Sequence, residues 1–82
     1  MKNQKEEYKK IINIIKTMPN SIGIVYDILK DEEGDYQLHM VAEFMSEALI
    51  RRVLRECTRR QLCFYIMGEV QEYYVKLIIY KR

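Results

Sequence analysis

Apolar residues return every three or four positions through NQKEEYKKIINIIKT (3–17). Tyr8, Ile11, Ile12 and Ile15 share one side of a helix, and Met18 follows them at its end. This spacing predicts an amphipathic helix. Pro19 stops it, because the residue before a proline is pushed out of the α region. The next stretch, SIGIVYDILKD (21–31), suits two periods. As a strand it puts Ile22, Ile24, Tyr26 and Ile28 on one face, but Gly23, Val25, Asp27 and Leu29 then make a face that is not polar. As a helix its apolar residues fill one arc and Gly23, Asp27, Lys30 and Asp31 the other, with Ser21 or Asn20 as N-cap. The helix sorts the residues more cleanly and is the expectation adopted. DEEGD (31–35) reads as an acidic turn around Gly34. Tyr36–Leu38 reads as a short extended piece, and His39–Met45 as a short helix with Met40, Val41, Phe44 and Met45 inward.

Ser46 then caps a further helix running to about Gln61. Leu49, Ile50, Val53, Leu54 and Cys57 span about 140° of its wheel at about 100° per residue. Five of the six arginines of the chain lie on or beside the opposite arc: Arg51, Arg52, Arg55, Arg59 and Arg60. Glu47–Arg51, Arg52–Glu56 and Glu56–Arg60 are i,i+4 pairs, worth a few tenths of a kcal/mol each. Arg51–Arg55–Arg59 is a self-repelling row, which points to an external anion. LCFYIM (62–67) and YYVKLIIY (73–80), with GEVQE between them, read as a β-hairpin. No linker or low-complexity segment interrupts the order, and no internal repeat stands out.

That order resembles a winged helix-turn-helix domain. GIVYDILKDEEGDYQLHMVAEF (23–44) resembles the first helix, loop and second helix of winged-helix regulators; MSEALIRRVLRECTRRQL (45–62) resembles their turn and recognition helix. Gln61 and Leu62 stand where such proteins close the helix with Gly-Leu and enter the wing. The resemblance covers residues 20–80, with 3–17 as an extra N-terminal helix, all in one domain, 1–82. It implies an α+β, mostly helical fold with a C-terminal hairpin wing. It also implies a transcriptional regulator that binds double-stranded DNA sequence-specifically, with helix 46–61 in the major groove. Arg51, Arg52 and Arg55 would reach guanine edges or phosphates, Arg59 and Arg60 the backbone, and Ser46 a phosphate at the helix start. The wing tip carries Glu69 and Glu72, so contact is expected from the helix and not from the wing. A homodimer would supply two half-sites.

Two alternatives stand beside this reading. One keeps the winged helix but uses its hairpin to bind a protein. The other makes strands of 22–30 and 36–43, giving helix–hairpin–helix–hairpin, a four-stranded antiparallel sheet with two helices on one face. That fold would suit a small interaction or inhibitor protein.

Composition narrows the function further. The 82 residues are 49% hydrophobic, which suits one folded domain. Apolar runs fall short of the roughly 18 residues of a membrane span and no secretory signal pattern opens the chain, so a cytoplasmic protein is expected. Residues 1–45 carry six basic and eight acidic side chains, and residues 46–82 eight and four; the positive field belongs to the second part. Cys57 lies on an apolar arc and reads as a small buried hydrophobe. A Cys57–Cys63 disulfide is not expected in the cytoplasm, and two cysteines with the lone His39 make no metal site. Asp31, Glu32, Glu33 and Asp35 lack EF-hand spacing and read as a solvated turn. Tyr65, Tyr73, Tyr74 and Tyr80 on the hairpin are read as half-buried packing residues, with base stacking or a dimer seam as alternatives. No nucleophile–base constellation or phosphate-cradling loop is present, so the expectation is a non-enzyme without cofactor or metal.

Overall fold

The N-terminal helix, α1, forms over Gln4–Lys16 in the structure, a computed structural model that describes residues 3–69 and 73–81. Asn3 caps it, its side-chain oxygen accepting from the Lys5 N–H. Strands β1 (Val25–Lys30) and β2 (Tyr36–Ala42) follow, then helix α2 (Glu47–Arg59), then β3 (Cys63–Glu69) and β4 (Tyr74–Tyr80). The four strands form one antiparallel sheet in the order β1-β2-β4-β3, with both helices on one face. Among the described residues, no helix is long and apolar enough to cross a membrane.

This overturns the winged-helix fold expected from the sequence. Residues 25–30 are a strand and not a helix, and residues 36–42 are its hairpin partner, replacing both the extended piece and the His39–Met45 helix. Without that helix pair, α2 is not the recognition helix of a helix-turn-helix, and β3–β4 is no wing but half of the central sheet. The physical reason lies in β1. Tyr26 and Ile28 face the helices, while Val25 and Leu29 sit on the sheet's other face and are exposed. A strand apolar on both faces shows no period of two, so its residues sorted better on a helical wheel. The arrangement is the helix–hairpin–helix–hairpin alternative.

The acidic turn closes the first hairpin. Asp31 Oδ1 accepts from the backbone N–H groups of Glu33 and Asp35, both at 2.9 Å. Gly34 takes φ 89°, in the left-handed region open to glycine. The second hairpin forms as expected, although Glu72 lies outside the described residues. Both cysteines are free thiols. Cys57 is buried, and burial pushes its thiol up to about 11.

The core lies between the layers. Tyr8, Ile11 and Ile15 of α1 and Leu49, Val53 and Cys57 of α2 meet Leu38 and Met40 of β2 and Leu77 and Ile79 of β4. α1 lies over β1 and β2, and α2 over β3. Two bonds pin α1 to the start of β2: the Tyr8 hydroxyl donates to the Tyr36 carbonyl at 2.9 Å, and the Tyr36 N–H donates to Gln4 Oε1 at 3.1 Å. Burial, first among its causes, pushes the Tyr8 phenol up to about 12, so it remains a donor at neutral pH.

Candidate nucleic-acid interface

Helix α2 begins where Ser46 turns its side chain onto the Leu49 N–H, at 3.2 Å. The Ser46 oxygen therefore serves the cap, leaving its O–H free to donate. The helix closes when the Leu62 N–H reaches back to the Cys57 carbonyl at 2.8 Å, with Gln61 at φ 57°. Gln61 thus takes the left-handed C-cap position that glycine usually fills.

The five arginines divide into two sets. Glu56, at 1% exposure, lies beneath three of them. Arg60 Nη1 donates to Glu56 Oε1, while Arg52 Nε stands 3.4 Å and Arg59 Nη1 3.7 Å from Oε2. Arg60 also reaches Glu7 of α1 at 3.8 Å, and its side chain is only 14% exposed. That places the end of α2 against the start of α1, so the helices run antiparallel. Arg60 is a clasp between helices and not an outward contact. Arg52, at 40% exposure, is half committed to Glu56.

Arg51, Arg55 and Arg59 form the outward set. They follow one another at i,i+4 along the solvent side of α2, a row rising about 6 Å per step. Arg51 bonds Glu47 at 2.5 Å, but both side chains are more than 70% exposed, where such a pair contributes little. Arg55 has no acidic partner among the described residues. Two shallow hollows open along the valley between the helices. One, of about 280 Å³, is lined by Met18, Arg51, Arg52 and Arg55. The other, of about 240 Å³, brings Lys10 of α1 beside Arg59 and Arg60, with Glu6 and Glu7 on its wall. Lys10 escaped sequence reasoning because α1 was read through its isoleucine face, and no local signal tied it to α2.

The opposite face of the sheet is the other surface that local pattern concealed. Val25, Leu29, Tyr65 and Met67 are exposed there, around a buried Ile78. Tyr65 packs edge-on against Tyr80, centroids 5.9 Å apart. Tyr65 and Tyr80 therefore pack against each other on this face, while Tyr65 and Tyr73 remain exposed. His39 sits in the same face, its Nε2 3.0 Å from Gln37 Oε1. Burial, then the Lys76 charge, lowers its pKa against the opposing pull of Asp27.

No protein-family model matches the chain, and no curated protein matches it in sequence.

Proposed function

We propose that the protein binds double-stranded nucleic acid, DNA first, through the outward row of α2, by phosphate contacts and not by reading bases. The observation that carries this is Arg55: exposed, without an acidic partner among the described residues, and held between Arg51 and Arg59 in a row whose self-repulsion an external polyanion offsets. Phosphate contact fits this geometry better than major-groove entry. The groove is about 12 Å wide and admits one helix, whereas α2 lies flat with α1 alongside it. Lys10, and Arg52 in part, add charge along the same valley. A cytoplasmic location belongs to this reading.

Titration of random duplex DNA against salt tests it. Three phosphate contacts give a slope of log K against log salt of about −3, and Arg55→Ala should reduce its magnitude by about one. Absence of binding at low salt, or binding unchanged by Arg51→Ala plus Arg55→Ala, would overturn the proposal.

A second reading rests on the outer face of the sheet: a protein-interaction or inhibitor module, as exposed apolar residues interspersed with Asp27, His39 and Lys76 suggest. Absence of duplex binding at low salt, together with binding of a protein partner that is lost on Tyr65→Ser and kept on Arg55→Ala, would move the function to that face.

A further inference from the structure

Strand β3 is an edge of the sheet, so one side of its backbone has no strand partner among the described residues. Natural edges are usually blunted by charge, proline or brevity. β1, the other edge, carries Asp27 and Lys30. β3 reads CFYIMGE: seven residues with no proline, no basic residue and no acid before its last position. Tyr65, Ile66 and Met67 are 46%, 43% and 43% exposed in succession, so the edge is apolar on both of its faces. The flank continues upward into the helical layer. Leu54 lies two residues before Glu56, roughly 200° round α2, and so on the side away from α1. It is also exposed, and α2 is the helix that covers β3.

We propose that the occupant of this edge is a second copy of the same chain, joined β3 to β3 in antiparallel fashion into an eight-stranded sheet. Self-complementarity argues for the copy over any other strand. A twofold axis through Ile66 uses all seven residues and sets Tyr65 opposite Met67 of the second copy, an aromatic ring against a thioether, on the outer face. On the helix-bearing face Ile66 meets its own equivalent, and Phe64 stands opposite Gly68. A Cβ built on Gly68 finds nothing within 4 Å, so a neighbouring aromatic ring has room to cover the glycine, an arrangement that stabilises strand pairs. The axis is normal to the sheet and keeps all four helices on one side, with the two α2 helices as neighbours across Leu54. A standard interface needs roughly 800 Å² per partner; a seven-residue edge, the side chains on both its faces and the helix flank behind it are of that order. This inference stands apart from nucleic-acid binding.

Sedimentation equilibrium of the whole chain over a wide concentration range tests it. The wild type should weigh two chains. Ile66→Lys and, separately, Met67→Lys should shift the mass to one chain with circular dichroism unchanged, because both side chains are already exposed. Leu29→Lys, on the other edge strand, should leave the dimer intact. A wild type of single-chain mass throughout would overturn the proposal, as would a folded dimer that survives both edge substitutions. Two different sites keep the test valid if one variant fails to fold.

Discussion

Glu56 has given up nearly all its water for three guanidinium groups. Arg59 and Arg52 remain substantially exposed, so solvent screens their share. The weight falls on Arg60, which the carboxylate holds within the helix pair. Glu56→Ala should leave Arg60 facing only Glu7 and cost about 2 kcal/mol. In a domain of this size that lowers Tm by about 10 °C in a thermal melt, while Arg55→Ala should leave Tm nearly unchanged. An arginine count was legible in the sequence, and so were the i,i+4 pairs. Which arginines are structural was not, because the burial of Glu56 comes only with tertiary packing and Arg60's second partner, Glu7, lies on another helix.

His39 makes stability depend on pH. Its folded-state pKa lies below the ordinary value of about 6.5, chiefly through burial. The unfolded chain therefore takes up the proton first as pH falls. The stability is present above about pH 6.5 and is lost as pH drops toward the lowered folded value. Wild-type Tm should fall more between about pH 7.5 and 5.5 than that of His39→Gln. An equal fall in the two proteins would show that carboxylates alone set the dependence.

At the scale of elements, α1 and α2 were legible because each has one dominant period and clear ends, and the second hairpin because aromatic and β-branched residues dominate its two runs. The first hairpin was hidden although its turn was not: an aspartate three residues before a glycine is a turn signal, and Asp31 and Gly34 use it. What misled was the flank, since Val25 and Leu29 give the outer face no polar alternation. The end of α2 carries the element-scale prediction. Gln61 holds φ 57°, a region a β-carbon disfavours. Gln61→Gly should raise the denaturation midpoint, adding up to about 1 kcal/mol of stability. A loss instead would mean that the Gln61 side chain makes a contact worth more than its strain.

Taken whole, the molecule is a helix and two strands, given twice, with β2 and β4 side by side at the centre. The repeat escaped sequence reading because the two units share order and not residues. The helix faces Tyr8, Ile11, Ile15 and Leu49, Val53, Cys57 have little in common beyond being apolar. If the β3 edges pair, two arginine rows come onto one face. The salt dependence of a dimer on duplex DNA should then approach twice that of a single chain.

The central β2–β4 ladder has a consequence for how the chain folds. Lys30 finds Tyr36 across one turn, a short search. Gln37 must find Tyr80 on the far side of α2 and β3. Closing that longer loop costs more chain entropy before any contact offsets it. The hairpins are local and can form early; the joining of β2 to β4 is the slow event, and until it happens each half leaves open the strand edge and the helix flank that the other will cover.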